Sequence, residues 1–68
     1  MIVTVNEKQV EVDEQTTVAA LLESLGFPDR GIAVAMDFAV LPRSDWATKL
    51  STFSGPVRLE VVTAVQGG

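Results

Sequence analysis

The sequence predicts an α+β domain in two layers, a sheet of about five strands packed on a single helix. Three observations carry this. Two β-branched runs, 2–5 and 9–13, lie on either side of a short polar stretch; the apolar residues from Val18 to Leu25 have helical spacing; and Val57 to Val61 alternates between apolar and charged side chains.

Ile2-Val3-Thr4-Val5 and Gln9-Val10-Glu11-Val12-Asp13 flank Asn6-Glu7-Lys8. This pattern reads as an antiparallel hairpin in which Val3 and Val5 face Val10 and Val12. The polar stretch 13–17 ends the alternation. Val18, Leu21, Leu22 and Leu25 then fall at i, i+3, i+4 and i+7, one face of a helix. Thr16 or Thr17 supplies the N-cap hydroxyl, Gly26 suits the C′ position, and Pro28 prevents continuation.

Ile32-Ala33-Val34-Ala35-Met36 is a continuous apolar run, the pattern of a strand buried on both faces. Asp37-Phe38 turns it into a short strand, Ala39-Val40-Leu41, which Pro42 ends or confines to an edge. From Arg43 to Leu50 the backbone is expected to be irregular or a short helix, with Trp46 and Leu50 at i and i+4. In the last strand Val57, Leu59 and Val61 are assigned to the core, while Arg58, Glu60 and Val62 look outward. The order is therefore β-β-α-β-β-(short helix)-β. If the last strand is central and lies beside the first, the chain leaves from the middle of the sheet.

Composition narrows the function. A chain of 68 residues makes one small domain that buries only about 60% of its unfolded surface, which leaves no room for an enzyme cleft within its own core. Cysteine and histidine are both absent. That excludes disulfides, a thiolate nucleophile, Cys-based metal centres and any Ser-His or Cys-His pair, so no bound cofactor or metal is expected. Nine acidic residues against five basic ones leave a net charge of −4. Such a chain disfavours nucleic acid and anionic membrane surfaces, and basic partner proteins suit it better. No apolar run approaches the roughly 20 residues that span a bilayer, and the sequence reads as a soluble, cytoplasmic protein.

Several side chains invite a functional reading. Glu11, Asp13 and Glu14 cluster, but without calcium-loop spacing they read as a solvated surface. Ser24 faintly resembles the serine of acyl carrier proteins, yet it lies near a helix end rather than a helix start. Trp46 is the only tryptophan and is expected to pack in the core rather than anchor a partner. Arg43 reads as a solvated or loosely paired cation.

The strongest feature is terminal. Gly67-Gly68 follows the apolar run Leu59 to Gln66, where no turn has to be made, and such a pair arises by chance roughly once in 200 chains. Without Cβ atoms the two glycines can enter a narrow channel and present a free carboxylate there. From Val65 to Gly68 the segment reaches roughly 13 Å when extended. The organisation expected is a globular domain over 1–65 and a flexible tail over 66–68.

Taken together these residues resemble the sulfur carrier protein of thiamine biosynthesis, the ThiS family, which has the ubiquitin-like β-grasp fold with a mixed sheet. The matching pieces are Asn6 after the first strand, the helix from Thr17-Val18 to Leu21-Leu22, Ile32-Ala33-Val34-Ala35, Val40-Leu41-Pro42-Arg43 with Trp46, and Ala64-Val65-Gln66-Gly67-Gly68. They span the chain. Asp37 stands where the family commonly has Asn, and Ser54-Gly55-Pro56 replaces the usual Gly-Asp before the last strand. Both departures lie in turns.

The resemblance implies a protein co-substrate rather than an enzyme. A ubiquitin-activating-type enzyme would use ATP and Mg²⁺ to adenylate the Gly68 carboxylate. Sulfur mobilised from cysteine would convert it to a thiocarboxylate, and thiazole synthase would receive that sulfur. Gly67 and Gln66 would give the tail access to partner active sites, with Val62, Ala64 and Val65 as partner contacts. The alternatives are a related carrier serving molybdopterin or protein conjugation, and a non-catalytic interaction module.

Overall fold

A computed structural model of the chain describes residues 1–63. Its first hairpin is set by two residues in the left-handed region, Asn6 at φ +50° and Glu7 at φ +71°. A two-residue loop with both φ values positive has the twist that joins two antiparallel strands directly. Strand β1 (Ile2–Val5) therefore passes at once into β2 (Lys8–Glu11). The second strand is shorter and begins earlier than the 9–13 run expected. Val3 opposes Val10 as expected, but Val5 opposes Lys8. Val12 lies beyond β2, opposite Met1, whose carbonyl accepts from the Val12 N–H at 2.8 Å. The tight turn consumes only Asn6 and Glu7, so Lys8 joins the ladder.

Helix α1 (Val18–Ser24) starts at Thr17, whose hydroxyl accepts from the Ala20 N–H at 3.1 Å. Two further N-terminal donors find carbonyls in the segment after the fourth strand: Val18 N–H donates to Thr48 and Ala19 N–H to Trp46. At the other end Gly26 takes φ +88°. The Gly26 and Phe27 N–H groups donate to the Glu23 and Leu22 carbonyls, both at 3.0 Å, which is a Schellman closure. That closure corrects one expectation. Val18, Leu21 and Leu22 are buried, but Leu25 is the C-cap and 41% exposed. Phe27, brought back by the Schellman turn, packs on the core instead.

Strands β3 (Ile32–Met36) and β4 (Ala39–Val40) form a second hairpin. Its loop again has two left-handed residues, Asp37 at φ +54° and Phe38 at φ +69°. The run 32–36 was expected to be buried on both faces. Only Val34 is buried outright and Ala33 is exposed, because the single helix covers one face and leaves the other open. The Pro42 N-cap begins a 3₁₀ turn at Arg43–Asp45, and a second follows at Leu50–Thr52. Between them Trp46 is buried, its indole N–H donating to the Leu41 carbonyl at 3.3 Å.

Phe38 is 97% exposed, so its left-handed backbone carries strain that burial does not offset. A left-handed conformation costs a non-glycine residue on the order of 1–2 kcal/mol, while glycine adopts it freely and loses part of that gain to unfolded-state entropy. Phe38→Gly should therefore raise the urea midpoint by the equivalent of about 0.5–1 kcal/mol. A midpoint at or below that of the parent would show that the side chain supports the fold.

Strand β5 (Val57–Thr63) shows the expected alternation, with Val57, Leu59 and Val61 buried and Arg58, Glu60 and Val62 outward. It pairs in parallel with β1 and antiparallel with β3, giving the sheet order β2-β1-β5-β3-β4. This is the mixed sheet of a ubiquitin-like β-grasp, with the last strand at its centre. Val3, Leu21, Leu50 and Leu59 are among the most deeply buried side chains between sheet and helix.

Candidate functional site

The site is built where β5 leaves the sheet. β1 reaches only as far as Val5, opposite Leu59, before it turns away. Asn6 takes over the pairing. Its N–H donates to the Leu59 carbonyl at 3.0 Å, its side-chain oxygen accepts from the Val61 N–H at 2.8 Å, and its side-chain amide donates to the Val61 carbonyl at 3.2 Å. The Asn6 amide thus imitates a strand residue and satisfies both Val61 groups that β1 has left unpartnered.

The N–H and C=O of Val61 point toward Asn6, so those of Glu60 and Val62 point toward β3, where Val62 pairs with Ala33 and Glu60 with Ala35. Beside the exit, the uncovered face of the sheet carries Val62, Ala33, Ala35 and Val40, adjacent through the pairs Val62 with Ala33 and Ala35 with Val40. Val62 is 60% and Val40 74% exposed. On the same open face of β5 the charges of Glu60, opposite Ala35, and of Arg58 are exposed, and Arg58 is paired with Glu7, an interaction of small energetic value at so wet a position. The result is an apolar stripe at the exit with a polar border.

Val62 lies where the sequence placed it. Ala64, Val65, Gln66, Gly67 and Gly68 fall outside the described residues, as does the division of the chain at residue 65. The other candidates are accounted for structurally. Arg43 donates to the Asp29 carbonyl and lies 4.9 Å from the Trp46 ring centroid, so it is the paired cation expected. With Phe27 and Leu22 these residues border a groove of about 500 Å³ on the helix side of the molecule. The Asp13 carboxylate accepts from the Gln15 N–H at 2.7 Å and the Thr16 hydroxyl at 3.2 Å, a local turn ahead of the helix. Ser24 donates to the Leu21 carbonyl at 2.7 Å. Among the described residues no helix is long and apolar enough to cross a membrane.

Two features of the site were not read from the sequence. In the sequence Asn6 stands out only through the family resemblance; its place in a short polar turn, where Asn accepts a left-handed backbone, is the available signal. Val40 was assigned to an edge strand without a face, and the two-residue loop at Asp37-Phe38 decides that face.

Comparison with known proteins agrees with this geometry. The model of the ThiS family matches residues 2–68. The crystal structure of a thiamine biosynthesis protein (ThiS) from Geobacter metallireducens superposes with a TM-score of 0.71 at 27% identity, covering 100% of both chains. No curated protein sequence matches. A family match running from the first strand through the terminal glycine pair, on a fold whose central last strand leads to that pair, means that this chain belongs to the ThiS family.

Proposed function

We propose that this chain is a sulfur carrier of thiamine biosynthesis whose reactive group is the carboxylate of Gly68. The observation that carries the reading is the family match, which extends through Gly67-Gly68. A carboxylate is a poor acyl donor because its leaving group would be oxide. A ubiquitin-activating-type partner enzyme, with ATP and Mg²⁺, overcomes this by transferring AMP to a carboxylate oxygen and releasing pyrophosphate. Cysteine-derived sulfur at the oxidation level of hydrosulfide then attacks the acyl carbon and AMP departs, and the resulting thiocarboxylate delivers sulfur to thiazole synthase. The chain itself supplies no acid, base or metal ligand to these steps. Its lack of cysteine leaves no internal thiol to intercept the activated glycine.

Gly67 and Gln66 let the tail enter partner active sites. Val62, with Ala64 and Val65, contacts the partners, and the exposed neighbours Ala33 and Val40 extend this apolar footing for docking. Aromatic and aliphatic groups at the centre of an interface, ringed by charge, are the usual basis of such recognition. The test is the intact mass of the chain after incubation with the activating enzyme, ATP, Mg²⁺ and a sulfur donor. The expected product is heavier by the exchange of one oxygen for sulfur, located in the C-terminal residue by fragmentation. Unmodified carboxylate after full turnover of a known carrier in the same mixture would refute the reading.

A further inference from the structure

We infer that Asn6 is a positioning residue for the Gly68 carboxylate, acting through its clamp on Val61. The inference rests on the sulfur-carrier reading and adds to it a residue remote from the tail in sequence, 55 positions before Val61.

Three observations converge on Asn6. First, its backbone and side chain make three hydrogen bonds to β5, one to Leu59 and two to Val61. Second, these bonds lie where they control the end of the strand. Beyond Leu59 the β1 side of β5 has no strand partner in the ladder, so the Asn6 amide turns a strand held by β3 alone into one held on both sides. Third, the arrangement requires this residue type. The position needs φ +50°, which Asn tolerates better than most residues, and it needs one acceptor and one donor side by side, which a carboxamide provides.

The consequence for the carboxylate is geometric. Thr63 and Gly68 are five residues apart, a distance of at most ~17 Å of chain. The segment that carries the carboxylate is rooted at the end of β5, so a change in the direction of β5 at Val61 moves the point from which that segment starts. Placement matters steeply in acyl activation, where an error of about 1 Å can cost on the order of 100-fold in rate. The docking face, built by β3, β4 and the outward side of β5, does not include Asn6. Loss of the clamp should therefore lower the rate within the docked complex more than it weakens docking.

Asn6→Gly removes the clamp and keeps the turn, because glycine adopts φ +50° freely. In the isolated chain, hydrogen exchange of the Val61 amide should accelerate by about 3- to 10-fold. In ATP-pyrophosphate exchange with the activating enzyme, kcat should fall about 10-fold while KM stays within about 2-fold. Asn6→Asp retains the acceptor for the Val61 N–H and loses the donor, so it should recover part of kcat. Thr17→Ala loses the helix cap and destabilises the fold away from β5; its kcat should equal that of the parent.

Unchanged Val61 exchange in Asn6→Gly, or faster exchange with parental kcat, would overturn the inference while leaving the carrier role intact. So would a kcat loss in Thr17→Ala as large as that in Asn6→Gly, since that pattern reports general instability. A parent chain that supports no pyrophosphate exchange would overturn the carrier reading itself, and this inference with it.

Discussion

Deleting Gly67-Gly68 should abolish adenylate and thiocarboxylate formation while leaving the thermal midpoint almost unchanged. The two halves of this result have separate causes. All twelve buried core side chains of the described region lie between Val3 and Val61, so removal of the last two residues takes no apolar surface out of the core and costs little stability. On the proposed mechanism function depends on those residues entirely, because Gly68 carries the reacting carboxylate. The truncated chain would end at Gln66, with its carboxylate displaced by two residues and preceded by a side chain that the proposed narrow channel of the partner would have to admit. Gly68→Ala is the milder probe: its carboxylate stays in place, and one methyl should reduce ATP-pyrophosphate exchange by on the order of 100-fold if it shifts the reacting carbon by about 1 Å. Full sulfur transfer by the doubly truncated chain would remove Gly68 from the mechanism.

Leu22→Ala should severely destabilise the fold. Leu22 is 2% exposed, on the helix face that closes the core, and its carbonyl receives the Phe27 N–H in the Schellman closure. Truncation of a buried leucine costs about 2–5 kcal/mol through lost transfer energy and the cavity left behind. Typical domains have only about 5–15 kcal/mol in total, and a chain this small belongs at the low end. A large fall in the urea midpoint, and a substantial unfolded fraction at physiological temperature, are expected. A midpoint within experimental error of the parent would mean that the helix presents another face to the sheet.

Leu25 and Phe27 show how far helical periodicity can be trusted. The i, i+3, i+4, i+7 rule located Val18, Leu21 and Leu22 correctly, then assigned Leu25 to the same face. The helix ends at Ser24, so the rule no longer applied one residue later, and the left-handed Gly26 redirected the chain to bring in Phe27. The signal for that end, Gly26 followed by Pro28, was present in the sequence. Which side chain would fill the vacated position depends on the exit angle of the turn.

The candidate site divides in the same way. Val62 was placed outward from alternation alone, since a strand presents successive side chains to opposite faces. The apolar stripe around it was not legible, because Ala33, Ala35 and Val40 join it only through inter-strand registers. The glycine pair at the end of the chain was legible as a chemical feature without any fold.

Local chemistry thus determined by itself that the described residues form two hairpins, one capped helix and a strand, β5, with a buried and an open face, and that the chain has no catalytic or metal-binding side chains of the Cys or His type. Those properties depend on periods of two and 3.6 residues and on which residues accept a positive φ, all written within short windows of sequence. The insertion of β5 between β1 and β3, the one-sided cover of β3 and the Asn6 clamp on Val61 were decided by tertiary structure. Each joins segments far apart in the chain, and each depends on which of several compatible pairings best buries one shared apolar face, a competition settled only when the whole core packs at once.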